Sequence, residues 1–570
     1  RIDYEVKENR TWTAQFAPNT NAVIITGGTG SATYAYGDTV TIEFTPVDGQ
    51  RFKNWKVTSG SVTLADAAAE KTTFIMPDSI VRIQAEFEFR LGTCGHDGDT
   101  VGAFFEGTGT AEDPFKVTTP QQFIHIKQHI GEGKCYVQEN DLDFDGVAFS
   151  PIGVTTPFKG VYDGGGNVVK NVKYQDSSNT MAALFLLMDP AGEIKNVVTD
   201  ASCAFEARLY AAGIIANAGS GLVQNCVNKA EVTATQAAGG ITATTAEKST
   251  KEVVRNCRNE GTVIATGEKL GNSGGIVGVN GAVVVACYNS GTVTAAKSGG
   301  GIAGENKGSV QQNYNAGTVY STINAGGVVG FNTGAGVVDT CYNAGLIYGD
   351  TDSGGLAGYN AAMMRNIYNV AQIGGWKKTT GYIGGVIGYN NKGSVVSSYN
   401  IGKVTGTTKA NNGGIIGYNR QSGTSIQNNY YLEGTSAGAI SGKDQVGKAE
   451  MRSLDQMIIP SFAALLNNSG AVWVLDGTLS NPTGFQFPQL SLLPHIGFFP
   501  TFDVRMAVNL PQPADEEPAP PEEEVPPLTP EETLQPEEAE EPTPSPQVTP
   551  EESPADAPEE TAQPEETPEA

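Results

Sequence analysis

The sequence predicts an all-β protein built on a right-handed parallel β-helix, a solenoid, with a small N-terminal β module and a disordered Pro/Glu-rich C-terminal tail. Three observations carry this. A unit of 26 to 31 residues recurs through the middle of the chain, Gly supplies 71 of 570 residues, and residues 511–570 change composition altogether. The expected domains are a β module at 1–90, a linker and cap at 91–120, the β-helix at 121–432, a C-terminal cap at 433–510 and the acidic tail at 511–570.

The first module, residues 11–89, alternates apolar and polar residues in TVTIEFTP from Thr39 and ATYAYGDTV from Ala32. Turn signals stand at Gly37-Asp38 and Asp48-Gly49, and no window has a helical period. Residues 119–131 (TPQQFIHIKQHIG) then read as an amphipathic helix with Thr119 as N-cap.

The repeat has three parts. GGIVGVN at 274–280 returns as GGIAGEN, GGVVGFN, GGLAGYN, GGVIGYN and GGIIGYN, the last at 413–419. A corner follows, as CVN at Cys226, CRN at Cys257, CYN at Cys287 and Cys341, and SYN at Ser398; a GTV-like strand comes next. Marking the corner's last residue gives Asn228, Asn259, Asn289, Asn315, Asn343, Asn369, Asn400 and Tyr431, with spacings of 31, 30, 26, 28, 26, 31 and 31. Such a unit cannot bury its apolar face alone and must stack on its neighbours. Its Gly content and lack of a 3.6-residue period exclude a helical solenoid.

Three strands per turn, each pairing with its copy in the next turn, make a parallel β-helix. Strand spacing makes ten turns about 48 Å long, and the crossover rule favours right-handed coiling. The doubled Gly is expected to supply positive φ. Asn and Tyr of the corner are expected to stack in ladders, and Val223, Val254, Val284, Val310, Val338, Val395 and Ile426 to point inward. Residues 449–467 read as a helix broken at Pro460. Trp473, Phe485 and Phe487 are expected to cover the last turn.

The net charge of −26 is unevenly placed. Residues 511–570 hold 20 acids, 17 prolines and no Lys or Arg, so the body carries only −6. Such a tail cannot bury apolar surface and is expected to be disordered. Neither part has the basic patch that nucleic acid requires. Seven cysteines, five of them far apart in the body, read as buried free thiols. No run of 18 apolar residues suggests membrane insertion. The opening at Arg1 in strand-like sequence suggests a processed or truncated piece.

The GG-[IV]-x-G-x-N pattern with its CYN-x-GTV continuation resembles the GLUG motif. That motif occurs in β-helical regions of bacterial adhesins and in the N-terminal part of some immunoglobulin A metallopeptidases. The resemblance spans about residues 107–490, beginning with GTGTAEDPFKVTTPQQF. Residues 11–89, with YAYGDTVTIEFTPVDGQRFKNW and FIMPDSIVRIQAEFE, resemble the divergent internalin B-type repeats of Gram-positive surface proteins. The tail resembles a cell-wall-spanning segment, although Leu510-Pro511-Gln512-Pro513 lacks the Thr-Gly of a sorting motif.

Catalytic patterns are sparse. His125 and His129 have zinc-peptidase spacing, but Ile126 stands where the general-base Glu belongs. They are read as solvated or half-packed helix residues, and no metal or cofactor is expected. Asp141, Asp143, Asp145 and Gly146 match half of a calcium loop, yet the twelfth position is Ile152, so a first-turn strand is expected. Between 261 and 431 the acids are Glu268, Glu305, Asp339, Asp350 and Asp352, out of register with the repeat, so no catalytic residue is assigned. For binding, Trp376, Lys377 and Lys378 offer an aromatic ring flanked by cations on a loop of variable length.

The leading expectation is a monomeric, non-enzymatic adhesin or surface-display protein, extracellular on a bacterium, with a host-protein or glycan ligand. The alternative is a structural or substrate-positioning module of a larger secreted enzyme such as a metallopeptidase. A polysaccharide-degrading β-helix enzyme ranks last.

Overall fold

Short runs of β-branched residues with small corners pair in parallel with their own copy one repeat later, and this single relation builds the body. The computed structural model describes residues 19–491, apart from residues 48, 98–99, 177, 376–380, 407–410, 421–424, 468–469 and 476–486. The acidic tail and Phe485 thus lie outside the described residues. One 20-stranded sheet and three nine-stranded sheets run along the solenoid, which makes about ten turns.

One turn contains Asn272–Gly274, Val277–Asn280, Val283–Val285, Tyr288–Asn289 and Val293–Ala295. Their partners one turn on keep strict register: Gly274 with Gly300, Val277 with Ala303, Val284 with Val310, Asn289 with Asn315, and Val293 with Val319. This turn has five short strands, not three, and from Val337 onward the two corner strands merge so that a turn has four. GGIVGVN bends after Gly274, and a left-handed residue divides the next pattern in two in the turns up to Tyr314–Asn315.

That left-handed residue recurs ten times, at Asn171, Asn196, Asn225, Asn256, Ala286, Gln312, Thr340, Asn366, Ser397 and Asn428, with φ of 50° to 58°. Asn tolerates this region better than other residues with a Cβ, which explains its recurrence just before the corner. The doubled glycines do not have positive φ, contrary to expectation. They are needed for closeness: a Cβ on Gly301 would lie 2.2 Å from Gly327 O and 2.3 Å from Asn315 Cγ.

Inside, the expected valines are fully buried, and Ile426 nearly so. The corner asparagines point inward as well. Asn228, Asn259, Asn289, Asn315, Asn343, Asn369 and Asn400 form a ladder with Nδ2 to Oδ1 distances of 2.7 to 2.8 Å. The asparagines of GG-x-x-G-x-N form a second, from Asn280 through Asn306, Asn332, Asn360 and Asn390 to Asn419, at 2.8 to 3.0 Å. Each amide donates to the next carbonyl, so the buried polar groups are satisfied in series. Cys203, Cys226, Cys257, Cys287 and Cys341 are buried free thiols, as expected, and burial pushes Cys341 up to about 12.

Corner tyrosines point outward and stack: Tyr288, Tyr314, Tyr342, Tyr368 and Tyr399 have ring centroids 4.9 to 5.0 Å apart. The C-terminal segment packs along this flank through Met457, Phe462, Trp473, Phe487 and Leu490. Residues 449–467 are not one broken helix. Ala449–Arg452 is a strand paired in parallel with Ile426–Leu432, and it is followed by helices Leu454–Met457 and Pro460–Asn467. The backbone of 449–452 pairs with the last turn's open ladder, and Pro460 begins a helix, where its missing N–H costs nothing.

At the other end, strand Phe115–Val117, helix Pro120–His125 and strand Cys135–Gln138 close the first turn over an aromatic core that includes Phe104, Phe115, Phe123 and Tyr162. Thr119 caps the helix, its side chain accepting from Gln122 N at 3.3 Å. The N-terminal module has a four-stranded and a three-stranded sheet. They enclose a core that includes Val40, Ile42, Trp55, Phe74 and Ile83.

Candidate functional site

Two groups of side chains stand out from the repeat. The first is on the surface. In GG-x-x-G-x-N the sixth residue faces outward, and register stacks Val279, Glu305, Phe331, Tyr359, Tyr389 and Tyr418 above one another. From Phe331 onward the stack is aromatic and half-buried, with centroids 4.5, 5.4 and 5.4 Å apart. Tyr382 joins it, 4.6 Å from Tyr418 and 5.6 Å from Tyr389. Because the rings stack on each other, they present edges and phenol oxygens to the outside at a regular step. Asn391 Nδ2 donates to Tyr359 Oη at 2.5 Å. Trp376, Lys377 and Lys378 lie outside the described residues, in the segment leading to Tyr382.

The second group is in the N-terminal cap. Residues 91–97 form a tight turn closed by a bridge between Leu91 and Asp97, with Gly92 N donating to His96 O at 2.7 Å and Gly95 at φ 85°. This turn carries Cys94 and His96. The helix Pro120–His125 and the 3-10 turn Ile126–His129 carry His125 and His129 one turn apart. One ligand atom from each of the four side chains lies within 4.8 Å of the others. His125 and His129 are buried, at 3% and 5% exposure, so they are neither solvated nor half-packed as their spacing suggested. Burial first, and the neighbouring His96 and His129 next, push His125 down to about 4, so its imidazole is neutral at ordinary pH. The turn carries a visible signal, Cys-Gly-His, but Cys94 and His96 lie 31 and 29 residues before His125 and only the fold joins them.

Four of the other candidate acids are tied up locally. Asp141 accepts from Lys170 Nζ at 2.6 Å and Val168 N at 2.9 Å, and Asp143 accepts from Asn171 Nδ2 at 2.7 Å. Leu142–Asp143 is a strand of the first turn, as expected. Asp339 accepts from Arg365 Nε at 2.8 Å, and Glu305 from Asn272 Nδ2 at 2.9 Å. Among the described residues, no helix is long and apolar enough to cross a membrane.

Fold and surface define a parallel β-solenoid repeat protein preceded by a small β module. Residues 12–90 match the family described as divergent InlB B-repeat domain. A stretch of 239 residues, 40% of the chain, is 27% identical to halomucin of Haloquadratum walsbyi, of which it spans 2%. Among solved structures, a Bacteroides ovatus protein described as a candidate immunoglobulin A1 protease aligns at 17% identity and TM-score 0.29, covering 68% of this chain and 95% of that one. A second, named IgA1 protease, aligns at 12% identity and TM-score 0.28, covering 74% of this chain and 30% of that one. The InlB-type module and the likeness to halomucin fit an extracellular or cell-surface repeat protein.

Proposed function

We propose that the chain is a non-enzymatic bacterial adhesin or surface-display protein whose β-helix holds out a binding face toward a host protein or glycan. The observation that carries this reading is the ladder Phe331, Tyr359, Tyr389 and Tyr418, with Tyr382 beside it. An extended ligand lying along the solenoid meets a ring edge at each turn and a phenol hydroxyl at Tyr359, Tyr389 and Tyr418. The contact is therefore repeated, and its energy grows with the length engaged. Exposed aromatic surface of this kind marks interaction sites. The GLUG-like repeat and the internalin-type module support a surface location, and Trp376, Lys377 and Lys378 remain binding candidates by their residue types.

The test is a glycan and host-matrix binding array with the purified full chain, in wild-type form and with Tyr359, Tyr389 and Tyr418 all replaced by Ala. A ligand that binds the wild type and is lost in the triple variant supports the reading, provided the circular dichroism of the two proteins agrees. Equal binding by both moves recognition away from the ladder, and hydrolysis of an arrayed polysaccharide refutes the non-enzymatic reading.

A further inference from the structure

The four side chains of the cap form a shape that hydrogen bonding alone does not explain. Cys94 Sγ lies 3.7 Å from His96 Nδ1 and 3.8 Å from His125 Nε2, and those two nitrogens are 3.2 Å apart. A zinc ion with Zn–N of about 2.0–2.1 Å and Zn–S of about 2.3 Å requires tetrahedral edges of about 3.4 Å between nitrogens and about 3.6 Å from nitrogen to sulfur. The three observed edges fit one face of such a tetrahedron.

His129 supplies the fourth corner. Its Nδ1 faces Glu132 Oε2 at 3.2 Å, while its Nε2 is buried with no hydrogen-bond partner. A buried nitrogen left unpartnered calls for an explanation. The outer contacts orient the ligands in the manner of a metal site. His125 Nδ1 faces Val101 O at 3.2 Å, so its proton sits there and its Nε2 lone pair turns inward. Glu132 does the same for His129, and Phe104 N donates to Cys94 Sγ at 3.3 Å, as suits a thiolate. The Phe104 ring, 5.3 Å from that of His125, and the Phe115 ring, 5.7 Å from that of His129, cover the buried histidine side of the site.

We propose that Cys94, His96, His125 and His129 bind one tetrahedral zinc ion, which fastens the turn 91–97 to the helix of the N-terminal cap. All four positions are filled by protein, so the ion is structural and leaves no place for a substrate. Binding converts the Cys94 thiol to a thiolate and releases its proton, while the three imidazoles bind neutral. The turn follows the last strand of the first module, Val81–Phe89, and the helix covers the first turn of the solenoid. The ion thus closes the cap at the point where the two meet.

The experiment is elemental analysis of the purified full chain after exposure to zinc and removal of excess, with cobalt(II) substituted in parallel. One zinc per chain is expected, together with the visible bands of tetrahedral cobalt and a thiolate charge-transfer band. Cys94→Ser and His129→Gln are expected to lose both, Cys135→Ser to keep both, and Glu132→Gln to weaken binding by about 10- to 100-fold. Chelation is expected to speed amide exchange in residues 91–97 and 120–129. Wild-type protein that takes up neither metal, or cobalt with only the weak bands of an octahedral site, overturns the proposal whether or not the variants fold. Zinc that binds without changing exchange in the cap overturns the fastening role.

Discussion

Asn289 and Asn315 are both fully buried in consecutive turns, and Asn289 Nδ2 donates to Asn315 Oδ1 at 2.8 Å. Asn315 in turn donates to Asn343 Oδ1 and to Gly317 O, both at 2.8 Å, and accepts from Gly317 N at 3.1 Å. Asn315→Ala removes four hydrogen bonds from a dry interior and leaves a cavity. A loss of about 2–4 kcal/mol is expected, read as a lower urea midpoint.

The glycines beneath this ladder act by their size. Gly301→Ala places a methyl group against Gly327 O and the Asn315 side chain. Neither can move without breaking two turns, so a loss of more than about 3 kcal/mol is expected, or failure to fold. Gly131→Ala, which meets nothing within 4 Å, is the matched control and is expected to change stability by less than about 0.5 kcal/mol.

Thr340 sits in the left-handed corner at φ 55°, a position held by Asn in six of the ten turns. A β-branched residue is strained there, whereas Asn is tolerated. Thr340→Asn is expected to raise stability by about 0.5–1 kcal/mol, measured by thermal or urea unfolding.

Asp352 is 7% exposed, and burial pushes its carboxyl up to about 7. The folded state therefore keeps a proton that the unfolded chain has already released. Its contribution is most favourable below the ordinary carboxylate range, declines as pH rises from about 4 to about 7, and is flat above. The same register carries Asn324 one turn earlier, so Asp352→Asn fits. The variant is expected to gain on the order of 1–4 kcal/mol over wild type at pH 8, with the gain vanishing near pH 4. Unfolding measured across that range checks both sign and window.

Trp473 packs on Tyr368 and Tyr399, with centroids 5.9 and 5.6 Å away. Trp473→Ala is expected to cost the C-terminal segment about 3–5 kcal/mol. Turns far from it contact only their own neighbours and should keep their protection. Hydrogen exchange should show the loss confined to the described residues of the C-terminal segment and the Tyr flank they cover.

The repeat, its length and the parallel stacking are legible in the residues alone, because a unit too small to bury its own apolar face has one stable partner, the next copy of itself. The residues also marked the inward valines, the buried thiols and the Asn and Tyr ladders, since register carries each residue onto its equivalent. That the asparagines face inward and the tyrosines outward emerges from the folded chain alone. The fold also moved positive φ from the paired glycines to the residue before the corner, and turned 449–452 into a strand. These depend on which side of the backbone has room, which spacing does not encode. The cluster of Cys94, His96, His125 and His129 was beyond the sequence for a related reason. Its halves lie on separate segments, and their convergence is a property of how the cap folds over the first turn.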